Sequence, residues 1–265
     1  MVIDCHTHAF PDWLAEKAME ALDANTLVPA YHDATLAGLE ASMDAAGIDR
    51  AFICSIATKP AQFEPILQWS EQILSPRFVP LCSVHPEDPQ AAEKIHTLPE
   101  KGIQGIKLHP YYQGFSLDDP RMRPVFQALQ DTGLFVVCHT GFDIAFPDRE
   151  LLCDPPKIVA LTEAFPELRF VAAHFGGWEH WDAVKQHIIG KPVYIETSFV
   201  LETLPREAVR EMIMAHPEEY ILFGTDSPWT DQSKALGLFK DLDLPSKLEE
   251  KILCGNALRL LNQAA

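Results

Sequence analysis

Short runs of apolar residues alternate along the chain with longer stretches in which apolar positions recur three or four residues apart. The short runs are Val2–His8, Ala51–Ile56, Phe78–His85, Gly105–His109, Leu134–His139, Arg169–His174, Val193–Ser198 and Tyr220–Asp226. They are rich in Val, Ile, Phe and Cys and mostly apolar on both faces, the pattern of strands in a buried parallel sheet. The longer stretches carry helix ends. Thr35 is placed to cap a helix that buries Leu36, Leu39 and Met43 and stops at Gly47. Asp118-Asp119-Pro120 opens a second, with Val125, Phe126 and Leu129 ahead of Gly133. Pro155-Pro156 precedes Ile158, Val159, Leu161 and Phe165, and Leu204-Pro205 leads into Val209, Met212 and Ile213. A last helix from Ser246 carries Leu248, Ile252 and Leu253, and an apolar stretch follows at Leu258, Leu260 and Leu261.

Eight alternations of strand and helix in 265 residues predict an α/β fold: a single (β/α)8 TIM barrel over residues 1–265, near the typical size of about 250 residues. A doubly wound open sheet would usually show fewer strands and a Gly-rich first turn. The first turn here reads His-Thr-His-Ala-Phe-Pro, and the barrel is favoured.

Charge narrows the partners. With 38 acidic and 21 basic residues, the net charge of −17 argues against nucleic acid or an anionic membrane, since either would be repelled. No window approaches the ~18 uninterrupted apolar residues of a membrane span. Val2-Ile3 runs at once into Asp4, His6 and His8, without the basic and apolar regions of a secretory leader, so a cytoplasmic location is expected. The six cysteines form no CxxC pair and four lie in strand-like runs, which reads as buried free thiols.

Placement sets the histidines apart. His6 and His8, His85, His109, His139 and His174 stand at the C-terminal ends of predicted strands, and Asp226 ends the eighth. In a barrel those ends converge on the face that carries the active site. Side chains two apart on a strand share a face, so His6 and His8, about 6–7 Å apart at Cα, are spaced to chelate one ion. Asp4 points the same way one step deeper and is placed to orient a ligand.

Asp4-Cys5-His6-Thr7-His8, Gly105-Ile106-Lys107-Leu108-His109-Pro110, His139-Thr140-Gly141, Ala173-His174-Phe175-Gly176-Gly177, Gly224-Thr225-Asp226-Ser227-Pro228-Trp229 and Gly255-Asn256-Ala257 resemble, in order, the motifs of the amidohydrolase-2 family. These are metal-dependent TIM barrels related to aminocarboxymuconate-semialdehyde decarboxylase. The resemblance implies that His6, His8, His139 and Asp226 are metal ligands and that His174 is a catalytic histidine. Such a nitrogen and oxygen set suits one Zn²⁺, with Mn²⁺, Fe²⁺ and Ni²⁺ as alternatives. A bound water would then fall from a pKa near 15.7 toward ~7. Asp226 would accept its proton, and His174 would polarise a carbonyl or shuttle the proton.

Lys107, His109, His85 and Trp229 are candidates for substrate binding. Lys107 has three readings: an anchor for a substrate carboxylate, a salt bridge to Glu196, or the carboxylated bridge between two metals found in distant relatives. The long loop from Gly141 to Asp154 is placed to shape the pocket. Its Arg149 reads as an exposed partner of Asp148 or Glu150, and Trp178 and Trp181 are further candidates for stacking or packing. The leading expectation is hydrolysis of a small amide, lactone or ester. Its rival is non-oxidative decarboxylation of an aromatic or unsaturated acid, and a third class is a barrel that binds without turnover. The expected partner is a small-molecule substrate, with a homodimer expected by analogy of fold alone.

Overall fold

The computed structural model describes residues 1–23 and 28–263. The strands are β1 (Ile3–Thr7), β2 (Arg50–Cys54), β3 (Phe78–Leu81), β4 (Gly105–Leu108), β5 (Phe135–Cys138), β6 (Arg169–Ala172), β7 (Tyr194–Glu196) and β8 (Ile221–Leu222). All pair in parallel, as a three-stranded segment β1-β2-β3 and a five-stranded segment β4 to β8. Both seams are closed. Cys82 bridges to Ile106, with Lys107 N donating to Cys82 O at 2.8 Å. Across the other seam Cys5 N donates to Phe223 O at 2.8 Å, Asp226 N to His6 O at 2.7 Å and His8 N to Ser227 O at 2.6 Å. The result is the eight-stranded barrel that the alternation predicted.

Helices cover the outside: α1 (Asp12–Asp23) and α2 (Leu36–Ala46) after β1, α3 (Phe63–Ile73) after β2, and α4 (Ala91–Thr97) after β3. Next come α5 (Pro110–Gln113) and α6 (Arg123–Thr132) after β4, α7 (Pro155–Ala164) after β5 and α8 (Trp181–His187) after β6. β7 is followed by α9 (Val200–Thr203) and α10 (Arg206–Ala215), and β8 by α11 (Gln232–Lys240), α12 (Ser246–Glu250) and α13 (Asn256–Leu260). The end signals act as read. Thr35 caps α2 by accepting from Gly38 N at 2.9 Å, and Gly47 closes it at φ 72°. Asp119 caps a 3-10 turn ahead of α6, and Gly133 ends that helix in the same left-handed conformation.

Alternation along each strand sorts side chains between two cores. Phe52, Phe135, Val137, Val171 and Leu222 fill the barrel interior, where the Phe52 and Phe135 rings lie 5.4 Å apart. Leu258 and Leu261, at and just beyond α13, join that interior cluster. Ile53, Ile106, Val136 and Phe170 face outward against the helices. Five cysteines are buried and Cys254 is half-buried; all six are free. No helix among the described residues is long and apolar enough to cross a membrane.

Every strand is shorter than its apolar run. The difference falls mainly at the C-terminal ends, where His85, His109, His139, His174 and Asp226 leave the ladder and enter the βα loops. That departure frees their side chains for a site.

Candidate metal centre and substrate cavity

β1 and β8 bring together His6, His8 and Asp226. His6 Nε2 lies 3.3 Å from His8 Nε2 and 3.5 Å from Asp226 Oδ1, and His8 Nε2 is 3.0 Å from the same oxygen. His174 follows β6, with Nε2 4.0 Å from Asp226 Oδ2 and its ring 5.5 Å from that of His6. His6, His174 and Asp226 therefore each offer a donor atom within 4.8 Å of the others. His139, after β5, sits one step out, its Nδ1 3.1 Å from His174 Nε2.

Tautomers follow from the second layer of contacts. Glu196 Oε1 lies 3.1 Å from His6 Nδ1, so that nitrogen carries the proton and Nε2 keeps its lone pair. His174 Nδ1 donates to the carbonyl of Ser198 at 3.1 Å, which leaves its Nε2 bare as well. His139 Nε2 donates to Phe142 O at 3.2 Å, so the lone pairs of His139 Nδ1 and His174 Nε2 oppose each other. Lone pairs from three imidazoles and a carboxylate converge with few protons between them. A divalent cation fits this donor set.

Burial lowers the His6 pKa to about 4 despite the pull of Asp226 and Glu196, lowers that of His8, and drives those of His109 and His139 well below the ordinary value. All four are thus held neutral, as ligation requires. Burial also pushes the carboxyls up, but His6 and a hydrogen bond from it hold Glu196 down to about 2. Asp226 stays well below the carboxylate range through its histidine neighbours. Asp4 differs: burial raises it to about 7 against hydrogen bonds from Thr225, Gln232 and the backbone of His6. It ties β1 to β8 and bonds the His6 backbone rather than any imidazole.

Backbone strain collects at the same place. His174, Phe175, Phe199 and Asp226 adopt φ of 55°, 56°, 60° and 65°, which side chains other than glycine rarely take.

The centre lies in a cavity of about 810 Å³ whose walls include Lys107, His109, Tyr112, Trp178 and Trp229. Lys107 is 1% exposed, and its Nζ donates to His6 Nε2 at 2.7 Å. It forms no ion pair with Glu196, whose oxygens are taken by His6, Ser198 and the His174 backbone. His109 stacks on His139 at 4.3 Å and 13°, with Nε2 3.4 Å from Asp143 Oδ2 and Nδ1 buried without a partner. His109, His139 and Asp143 make a second close donor group, but no ion can lie in the planes of two parallel stacked rings. Trp229 meets His8 edge-on at 5.1 Å, and Trp178 stacks on Phe142.

The structure leaves three candidates outside. His85 does not line the cavity; its Nδ1 accepts from Glu87 N within the loop after β3. Arg149 is exposed and stands over the Phe146 ring at 5.1 Å, with no ion pair to Asp148 or Glu150. Trp181 begins α8 and packs against the outer core. Sequence reasoning gave no site role to Ser198 and Phe199, and reached Phe142 and Asp143 only as part of the pocket-shaping loop from Gly141 to Asp154. Glu196 was visible as the one charge in an apolar run, but its link to His6 spans 190 residues.

A parallel eight-stranded barrel with histidines and a carboxylate at its C-terminal strand ends defines an enzyme of the metal-dependent barrel class. Residues 3–263 match the Amidohydro_2 model, described as amidohydrolase, and the chain belongs to that family. Among solved structures it resembles a 5-carboxyvanillate decarboxylase from Novosphingobium aromaticivorans with bound manganese and 3-methoxy-4-hydroxy-5-nitrobenzoic acid (TM-score 0.73, 16% identity, 99% of this chain and 97% of that one). It also resembles a probable 2-pyrone-4,6-dicarboxylic acid hydrolase from Acinetobacter baumannii with citric acid bound (TM-score 0.68, 16% identity, 98% and 99%). A dihydroorotase from Photobacterium profundum is 30% identical over 124 residues, 42% of this chain. The match spans only 36% of that dihydroorotase. The solved relatives thus include both hydrolases and decarboxylases.

Proposed function

We propose that the chain is a metal-dependent hydrolase of a small cyclic amide, lactone or ester that carries a carboxylate. The observation that carries this reading is Asp226, an ionised carboxylate 3.0 Å from His8 Nε2 and facing His6 and His174. Its oxygens face three imidazoles at 3.0 to 4.0 Å, which places a carboxylate acceptor for a proton among the donor atoms, as hydrolysis needs. His6, His8, His139 and Asp226 would hold one divalent ion, for which Zn²⁺ and Mn²⁺ both suit the donors; the manganese of the decarboxylase structure supports the latter. When bound, that ion supplies Lewis acidity and a water acidified toward a pKa of ~7. Asp226 takes a proton at an oxygen and returns it to the leaving group. His174, bare at Nε2, takes that proton from Asp226 and, once protonated there, donates to the substrate carbonyl. Lys107 would hold the substrate carboxylate, its amino group buried beside His6 on the wall of the same cavity and free to donate to an oxyanion.

The second reading is non-oxidative decarboxylation of an aromatic acid. It is supported by the same buried ammonium beside the aromatic walls of Tyr112, Phe142, Trp178 and Trp229. The test is to load the protein with Mn²⁺ or Zn²⁺ and offer dihydroorotate, 2-pyrone-4,6-dicarboxylate and 5-carboxyvanillate. Ring opening without gas is the expected result. Release of CO₂ moves the assignment to the second reading, and one equivalent of bound metal with neither product leaves a binding barrel.

A further inference from the structure

The cavity is far larger than a single-ring acid needs, at about 810 Å³ where pockets of roughly 300–1,000 Å³ enclose drug-sized ligands. Its outer walls are apolar, with Phe10 and Leu14 after β1, Ile56 after β2, and Ile66 and Trp69 on α3. Two lysines stand among them, Lys17 on α1 and Lys59 in the loop after β2, both exposed. Elsewhere Lys94, Lys101, Lys157, Lys234 and Lys251 each lie against a carboxylate, while Lys185, Lys191, Lys240 and Lys247 form no ion pair among the described residues. Among the described residues neither Lys17, Lys59 nor Lys107 forms an ion pair, in a chain with 38 acidic residues. The cavity thus has two lysines without an ion pair at its mouth, and Lys107 together with Asp226 and Asp143 at its floor, with an apolar wall between them.

We propose that the outer half of the cavity is a second subsite and that the ligand is an elongated organic dianion. Its acid head lies at Lys107, a flat apolar body passes between Trp178 and Trp229, and a second anionic group meets Lys17 and Lys59. The head position rests on the function proposed above; the outer subsite rests on the mouth lysines and the apolar wall. Charge at the mouth also draws an anion toward a protein that would otherwise repel it.

The test uses manganese-loaded protein and three probes followed by calorimetry or tryptophan fluorescence: benzoate, biphenyl carboxylate and biphenyl dicarboxylate. Biphenyl carboxylate is expected to bind about tenfold tighter than benzoate through the added apolar ring, and the dicarboxylate tighter again. The double variant Lys17→Met/Lys59→Met, at exposed positions outside the centre, should weaken the dicarboxylate at least about fivefold, leaving biphenyl carboxylate and manganese affinity unchanged. Equal binding of benzoate and both biphenyls, or a dicarboxylate indifferent to the double variant, overturns the outer subsite while the acid head stands. Binding of none of the three probes overturns both readings together.

Discussion

Glu196 decides which nitrogen of His6 faces the centre. Its Oε1, 3.1 Å from Nδ1, claims the ring proton and leaves Nε2 bare among His8, Lys107 and Asp226. The same carboxylate accepts from His174 N at 2.9 Å, Ser198 N at 2.7 Å and Ser198 Oγ at 2.6 Å. One buried side chain thereby sets both histidines. An amide at this position offers one acceptor where the site needs two, so Glu196→Gln is expected to weaken manganese binding about 10–100-fold. Equilibrium dialysis against Mn²⁺ reads this directly, and an unchanged affinity removes Glu196 from the centre.

The proposed division of labour between ligand and proton carrier separates in metal content. His6→Ala and Asp226→Asn should lose the bound ion together with any turnover. His174→Ala should keep about one equivalent and lose turnover. Elemental analysis of each purified variant distinguishes the two classes, and full occupancy in His6→Ala/His8→Ala would sink the ligand assignment.

His216 gives the fold a pH dependence remote from the centre. It is buried, its Nε2–H donates to Val193 O at 2.9 Å, and Nδ1 has no partner. Burial lowers its pKa from 6.5 to about 4, because a second ring proton would have nothing to bond. The folded state holds the neutral ring, whereas the unfolded chain protonates it below about 6.5. Its contribution is therefore complete above pH 6.5 and is lost as pH falls toward 4, by up to about 3 kcal/mol. Urea unfolding at a series of pH values should show a flatter curve across that window in His216→Gln than in the parent.

Gly141 stands where the β5 loop passes the loop after β6. At φ 92°, a Cβ there would lie 2.1 Å from Trp178 N and 2.5 Å from Gly177 C, both backbone atoms. Neither can give way as a flexible side chain would. Gly141→Ala should cost about 3 kcal/mol or more and disturb the Phe142–Trp178 wall. A urea midpoint equal to that of the parent would show that the loops separate freely.

Most of the barrel was legible because its strands are covered on both faces. Apolar runs without alternation, separated by capped helices such as Thr35 to Gly47, leave few topologies. The strand ends were less legible: His174 and Asp226 look like strand residues in the sequence, yet both adopt positive φ and lie beyond the last residues of β6 and β8. The first histidine pair was readable because the contact is local, two residues apart on one strand. Glu196 to His6 and Asp143 to His109 are long-range contacts that no periodicity encodes. Lys107 was paired with Glu196 by barrel geometry, but the imidazole of His6 stands between them and takes a contact from each.

The close contacts of the centre cross the seam where β8 meets β1, so His6 and Asp226, far apart in sequence, meet in space. During synthesis the first two histidines emerge long before the aspartate that completes their set. A fragment ending short of residue 226 carries His6, His8, His139 and His174 without the carboxylate. An ion held across this seam would clasp β1 to the loop after β8 and so brace the barrel where its first and eighth strands meet.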